Sequence, residues 1–137
     1  MCLRIEVIRS MSQSYTGISF PFRIGVKGGV VMSTTTSQDA QHIVESLIQI
    51  IGTRPMERVM EYHIKSEVST YIFDPNDEST RALVAYECQK AIEECDDRVE
   101  VLAVDVSGED HTIYANISFR VKKYEPTYSV NIKVGEY

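Results

Sequence analysis

The sequence predicts an α+β fold, in which an antiparallel β-meander sheet packs against two main helices in a single domain. Residues 99–134 alternate apolar and polar side chains, as strands with one buried face do. Residues 43–51 and 84–95 instead carry apolar side chains at helical spacing. The length of 137 residues suits one domain and leaves no room for a second core of ordinary size.

The N-terminal stretch is predicted to be extended. Leu3 to Val7 alternate apolar and charged residues, which favours a short strand, and the polar residues 10–16 favour a loop. Gly28 and Gly29 stand between two short apolar runs. This pattern is typical of a tight turn between two extended segments.

The first helix is predicted between residues 36 and 52. Thr36 and Asp39 fit a capping box, in which a hydroxyl and an acid satisfy unpaired amide donors. Gly52 is a suitable end because glycine can adopt the left-handed conformation that terminates helices. Pro55 then prevents continuation, and residues 53–62 are expected to be irregular.

The second helix is predicted to follow the Phe-Asp-Pro-Asn break at residues 73–76, which supplies its N-cap. Asp77 and Glu78 then lie in the first turn, where the helix dipole favours anions. The helical pattern continues to Cys95, and a shorter helix is expected over residues 66–72.

Three strands form the rest of the chain. Turn residues at 108–110 and 125–127 separate the alternating runs, which predicts a meander of consecutive antiparallel strands. The even alternation indicates one face buried under the helices and one polar face.

Composition and charge exclude several classes of function. Lys and Arg number 14 against 20 Asp and Glu, a net charge of −6, and no basic cluster is evident. Nucleic acid and anionic membrane are therefore not expected as partners. The N-terminus lacks the apolar run of a signal peptide, so we expect the protein to stay in the compartment where it is made. The three cysteines follow no framework spacing and are interpreted as reduced thiols.

The sequence contains no pattern typical of catalysis, metal binding or cofactor binding. No paired ligand spacing joins the histidines and cysteines, and the cysteines at 88 and 95 are interpreted as small core residues. A nucleophile elbow and a phosphate-binding loop are also missing. We therefore expect neither an enzyme nor a bound cofactor or metal.

Two charged clusters are candidate binding features. Residues 93–98 place four acids and Arg98 at the C-terminal end of the second helix, where anions are unfavourable. This cluster is either a solvated face or a docking point for a partner with basic groups. Residues 54–58 carry two arginines and one glutamate, and they either form a surface patch or fold back onto the acidic helix end as an Arg–carboxylate pair.

The last strand is a third candidate. Lys133 is the one charge in its central part, whereas exposed edge strands are usually guarded by charges, prolines or bulges. Such a strand suits β-augmentation, in which a partner adds a strand to the sheet. The alternative is an interior strand, and the pattern alone leaves both open.

Several of these segments together resemble the baseplate wedge proteins of contractile phage tails. They are the Thr-Arg-Pro-Met-Glu-Arg block at 53–58, the Phe-Asp-Pro-Asn-Asp block at 73–77 and the helix–Arg–strand junction at Arg98. The likeness runs from about Ile18 to Val134. It therefore divides the chain into an N-terminal extension over residues 1–17, with its short strand, and a baseplate-wedge-like α+β domain over residues 18–137.

The resemblance implies a structural role without catalysis. It implies a virion protein of the tail baseplate, assembled in the host cytoplasm, whose partners are other wedge proteins, tail sheath subunits and proteins near the tail tube. In this family a Glu-Pro-Arg signature docks on the helical wedge core. Asp96, Asp97 and Arg98 stand at the matching positions, with the arginine kept and the proline replaced.

The resemblance also assigns two further binding segments. Glu57 and Arg58 match a Gly-Glu-Arg block of the family, with Met56 in place of the glycine. The final strand is implied to pair with the first sheath ring and so to template it. That strand comprises Ser129, Val130, Asn131, Ile132, Lys133 and Val134.

Three alternatives remain at this stage. One is a regulatory protein-binding module, such as an anti-adaptor, on the same fold. Another is a component of the type VI secretion baseplate. A peptidoglycan-cleaving enzyme is suggested only by the "lysozyme-like" description of some wedge proteins, and we expect no such activity.

Overall fold

The computed structural model describes residues 14–36, 38–109 and 112–136 of the chain. It divides into two compact units, Met1–Glu45 and Ser46–Tyr137, which are described separately below. The strand predicted over residues 3–7 lies outside the described residues.

The first unit contains a two-stranded antiparallel ribbon. Strand β1 spans Tyr15–Ile18 and strand β2 spans Met32–Thr35, with Thr16 opposite Thr34. The loop predicted to extend to residue 16 is therefore wrong at its end. Thr16 is a β-branched residue that suits a strand, and the Thr16 hydroxyl lies 3.3 Å from the Thr34 hydroxyl.

The tight turn predicted from the glycine pair is confirmed. Gly28 and Gly29 have φ angles of 78° and 91°, which residues with a Cβ rarely adopt. The Gly28 amide donates to the Gly25 carbonyl at 2.9 Å, and Ile24 forms an isolated bridge with Val30.

Helix α1 spans Gln41–Gly52, which begins later than the capping-box pattern predicts. The Thr36 hydroxyl accepts from the Asp39 amide at 3.2 Å, but the Asp39 carboxylate accepts from the Gln41 amide at 3.0 Å. The two side chains thus order the turn that leads into the helix. The glycine at the end of α1 is helical and not left-handed. The Thr53 hydroxyl instead closes the helix by donating to the Gln49 carbonyl at 2.6 Å.

Glu45 on α1 is a buried carboxylate that its neighbours keep ionised. Burial raises its pKa, but hydrogen bonds from Gln41, Ser33 and the Phe20 amide, with a contribution from His42, together lower the pKa below its ordinary value. The pKa in the folded state is therefore lower than in the unfolded chain. The charged form stabilises the fold above the unfolded pKa, and this contribution is lost as the pH falls.

Glu45→Gln is therefore expected to flatten the acid side of the stability profile. The wild type should lose more free energy of unfolding than the variant as the pH falls below the ordinary pKa of a glutamate, 4.5. Urea denaturation at a series of pH values measures this difference. Parallel profiles for the two proteins would contradict the assignment.

The second unit begins with the last part of α1, from Ser46 to Gly52. An irregular segment follows, as predicted, and then a 3-10 helix over Val68–Phe73. Helix α2 spans Glu78–Cys95. Its N-cap is Asp77, whose carboxylate accepts from the Thr80 amide at 2.8 Å, so the predicted cap was one residue early.

The predicted meander is confirmed. Strands β3 (Val99–Glu109), β4 (Thr112–Val121) and β5 (Thr127–Glu136) form an antiparallel sheet in the order β3-β4-β5. Helix α2 packs on β3, and the 3-10 helix contacts both β5 and α2. The buried residues of β4 alternate as the sequence predicts, and they are Ile113, Ala115, Ile117, Phe119 and Val121.

Two features of β3 depart from the prediction. Val101 pairs with Phe119 and Ala103 with Ser118, so Leu102 is an extra residue that breaks the alternation. The turn predicted at residues 108–110 is wrong in its first part, because β3 continues to Glu109. Gly108 lies beneath the Asn76 side chain, which a Cβ at this position would strike.

Candidate docking site

Arg98 lies where α2 ends and β3 begins, and Asp96 holds it in place. The guanidinium Nε donates to Asp96 Oδ1 at 2.8 Å, and Nη2 donates to Oδ2 at 2.7 Å. The Arg98 backbone amide donates to the same Oδ1 at 3.0 Å. This bidentate pair, closed over two residues, fixes the angle at which the chain leaves the helix.

Burial differs between the two partners of this pair. The Asp96 side chain is 3 % exposed, whereas the Arg98 side chain is 31 % exposed. One residue of the acidic run is thus neutralised inside the protein. Its neighbours Glu93, Glu94 and Asp97 are exposed, so the predicted solvated acidic face comprises the rest of the run.

A second element also positions Arg98. The Arg98 Nη2 donates to the hydroxyl of Ser46, a residue of helix α1, at 3.3 Å. Nothing in the sequence indicates this contact, because the two residues are 52 positions apart and a serine on a helix is an ordinary surface residue.

A cavity of about 360 Å³ opens beside this junction. It brings together four of the predicted docking residues and misses the fifth, Glu57. The lining residues are Ser46, Gln49, Ile50, Arg58, Ile64, Cys95, Asp96, Asp97 and Arg98.

The segment at 54–58 does not form the Arg–carboxylate pair that was one of its two interpretations. The Glu57 carboxylate accepts from the Arg54 amide at 2.8 Å and so closes its own turn. Arg58 lines the cavity, but among the described residues no carboxylate lies within ion-pair distance of its guanidinium. The arginine that pairs with the acidic helix end is Arg98.

The same segment contains two left-handed residues that have side chains. Met56 has a φ of 63° and Met60 a φ of 71°. Both side chains are exposed, at 79 % and 84 %, so neither gains from burial. The backbone strain is therefore not offset by packing, and strain of this kind is frequent at binding sites.

Met56→Gly is expected to stabilise the protein. Glycine adopts the left-handed conformation without a Cβ clash, so the free energy of unfolding should rise by about 1 kcal/mol, less the flexibility that glycine adds to the unfolded chain. Denaturant titration measures the change, with the exposed Met32→Gly in strand β2 as a control that should destabilise. A lower stability for Met56→Gly would contradict the strain assignment.

Strand β5 is an edge strand in the part of the chain that the structure describes. It pairs with β4 and with no other described strand. The stacked rings of Phe119 and Tyr128, 5.8 Å apart, attach its first half to β4. Ile132 is buried, whereas Ser129 and Asn131 are exposed. Of the two interpretations from the sequence, the edge position is therefore the observed one.

The two described cysteines are both free thiols. Cys88 is a core residue as predicted, and burial raises its pKa to about 12. Cys95 donates to the His63 carbonyl at 3.5 Å. Within residues 14–36, 38–109 and 112–136, His, Cys, Asp and Glu form no group of three or more that could hold a metal ion.

The fold and the cavity together define a small α+β protein with an edge strand and a salt-linked corner. The family described as "Baseplate wedge protein gp25" matches residues 37–125, which is more than half of the chain. The chain therefore belongs to the baseplate wedge family, and its role is that of a structural component of a tail baseplate. The predicted family is confirmed.

Solved structures with a similar fold include a candidate tail lysozyme and a baseplate protein. The crystal structure of a candidate tail lysozyme from Geobacter sulfurreducens has a TM-score of 0.66 and 23% identity, and the match covers 75% of this chain and 94% of that one. A chain of the anti-feeding prophage baseplate, solved by cryo-EM, has a TM-score of 0.63 and 15% identity, with 88% and 84% covered. At these identities the likeness establishes the fold and does not extend to catalysis.

No curated protein matches the chain significantly. Across the described ranges, no helix has the length and apolar character needed to cross a membrane.

Proposed function

We propose that the protein docks on the helical core of the baseplate wedge through the cavity beside Arg98, and that strand β5 templates the first sheath ring. The observation that carries the proposal is the gathering of Arg58, Asp96, Asp97 and Arg98 around one cavity, on the same unit as an edge strand. A protein with two such surfaces can hold one partner and offer backbone hydrogen bonds to another.

The charges of the cavity support the docking half of the proposal. Asp96 neutralises Arg98 and holds its guanidinium in one orientation, with about a third of the side chain accessible. Arg58 and the exposed Asp97 then offer one charge of each sign to a partner. A preordered arginine loses little side-chain entropy on binding, and charges of both signs favour one register of the partner.

The edge position of β5 supports the templating half. A strand at the edge of a sheet presents unpaired backbone groups to any chain that can extend beside it. Backbone pairing depends little on side-chain identity, so a sheath strand could join the meander without a matching pocket for each residue. The partners on this account are other wedge proteins and tail sheath subunits, and assembly takes place in the host cytoplasm.

Charged residues of the cavity other than the Asp96–Arg98 pair provide the docking test. Arg58→Glu and Asp97→Lys change side chains that take part in no ion pair among the described residues, so both variants should fold normally. Each is expected to lose co-purification with co-expressed wedge-core proteins. Lys65→Glu is the matched control, because it makes the same charge change as Arg58→Glu at an exposed position outside the cavity.

The outcomes separate cleanly. Loss of binding in both cavity variants with retention in the control supports the docking surface. Wild-type binding by Arg58→Glu and Asp97→Lys would overturn the docking surface. The sheath-pairing half of the proposal has a separate test, which this result would not affect.

A further inference from the structure

The first unit, Met1–Glu45, carries a second surface, which is apolar and exposed. We define the hairpin arm as residues 18–32, which run from the end of β1 through the glycine turn to the start of β2. All of its large hydrophobic side chains are exposed, from 37 % at Val31 to 72 % at Ile24 and above. They are Ile18, Phe20, Phe22, Ile24, Val26, Val30, Val31 and Met32.

At the end of the ribbon that leads to the glycine turn, apolar residues are exposed while the serines beside them are buried. Ile18 pairs with Met32, and both are more than half exposed. The neighbouring Ser19 and Ser33 are 8 % and 7 % exposed. A chain that buries serines and exposes the adjacent apolar residues has an outer face that suits a protein partner.

Two backbone hydrogen bonds of Val31 hold the part of this apolar surface formed by residues 20–22. The Val31 carbonyl accepts from the Ser19 amide at 3.0 Å, and the Val31 amide donates to the Arg23 carbonyl at 3.1 Å. Val31 therefore bonds to the residues on either side of the segment 20–22, and these three residues are left unpaired by it. Both phenylalanines of the segment are exposed.

The charge of the arm differs from that of the whole protein. Arg23 and Lys27 are its only charged residues, and no acid occurs from residue 17 to residue 38, although the chain has a net charge of −6. The complementary surface is therefore apolar with acidic groups beside it.

The outer side of α2 has this composition. Leu83 and Tyr86 are 48 % and 62 % exposed, and Glu93 and Glu94 are exposed further along the same helix. Spacings of three, seven and eight residues place Tyr86 on one side of α2 with these three residues. Lys90 lies on the same side, but its ammonium pairs with the Glu87 carboxylate at 3.8 Å. The helix thus offers an apolar half followed by a half whose unpaired charges are acidic, about 15 Å from Leu83 to Glu93 at 1.5 Å per residue.

We propose that the hairpin arm of one copy docks on the outer side of α2 of a second copy of this chain. The apolar residues of the arm cover Leu83 and Tyr86, while Arg23 and Lys27 face Glu93 and Glu94. Because the two surfaces are different, the contact either closes a twofold dimer, in which each arm lies on the helix of the other copy, or runs head-to-tail into a ring or a chain of copies.

Light scattering on the full chain over a wide concentration range tests the contact. The wild type is expected to exceed its monomer mass of 15.6 kDa as its concentration rises. The variant Phe22→Ser/Ile24→Ser should stay at the monomer mass. The same is expected of two charge reversals, Arg23→Glu/Lys27→Glu on the arm and Glu93→Lys/Glu94→Lys on the helix.

Mixing provides the specific readout. The two charge-reversed proteins should associate with each other, since each arm again meets a helix face of opposite charge, while neither associates alone. Lys65→Glu/Lys122→Glu, which changes two exposed lysines elsewhere, should behave as the wild type.

A monomeric wild type at every concentration would overturn the proposal, as would a mixture of the two reversed proteins that fails to associate. Binding of the monomer to phosphatidylglycerol vesicles that is lost in Phe22→Ser/Ile24→Ser would overturn it in favour of a lipid surface. This test is independent of the docking site at Arg98, so its failure leaves that proposal intact.

Discussion

Arg98→Ala is expected to lower the free energy of unfolding by about 3 kcal/mol, because it leaves a buried carboxylate without its charge partner. The Asp96 side chain is 3 % exposed, and the guanidinium supplies two of the hydrogen bonds that its oxygens accept. The family resemblance implies only a docking role for Arg98. The structure adds a role in stability.

Denaturant titration of three variants separates the causes. Arg98→Lys keeps the charge and loses the bidentate geometry, so its loss should be smaller than that of Arg98→Ala. Asp96→Asn/Arg98→Ala removes both charges and should recover part of the loss. An Arg98→Ala protein as stable as the wild type would show that Asp96 does not need the pair.

Proline substituted at every second residue of strand β5 is expected to abolish sheath initiation without unfolding the protein. Along an edge strand, every second residue directs its N–H away from the sheet, and proline there removes a donor without breaking the ladder to β4. At the intervening positions proline removes a ladder hydrogen bond and should destabilise the fold. Ser129, Val130 and Asn131 are consecutive residues that sample both classes.

The measurement combines thermal unfolding of each variant with electron microscopy of sheath formed on baseplates that carry it. Ser129→Pro and Asn131→Pro should behave alike, and Val130→Pro should behave oppositely. The stable class is expected to assemble baseplates that form no sheath. A stable proline variant that initiates sheath normally would contradict backbone pairing at β5, whatever the outcome at Arg98.

Local patterns predicted most of the secondary structure. The alternation over β4 specified its buried face, because a regular strand with one buried side repeats every two residues. The aspartate and glutamate at the start of α2 likewise marked its first turn to within one residue. In each case the determining contacts lie within a few residues of each other.

Features that depend on distant contacts were not predictable. The bulge at Leu102 shifts the inward-facing residues of β3, and it follows from pairing with β4 and not from the local pattern. Gly108 looked like a turn residue, but it is glycine because Asn76 lies against its backbone. The sequence gives no sign of either partner.

The candidate site shows the same division. The acidic run indicated the corner at Arg98, yet it did not distinguish buried Asp96 from exposed Asp97. Ser46, which also holds the guanidinium, carried no signal at all. Met56 was an informative position, since the family resemblance implies a glycine there and Met56 adopts the left-handed conformation that a glycine would.

The most direct test of the account is a cryo-EM reconstruction of the assembled baseplate with its first sheath ring. The account predicts a strand of a sheath subunit hydrogen-bonded along the outer edge of β5, with a wedge-core helix seated at the cavity beside Arg98. A reconstruction in which that edge contacts no sheath subunit would contradict the central claim.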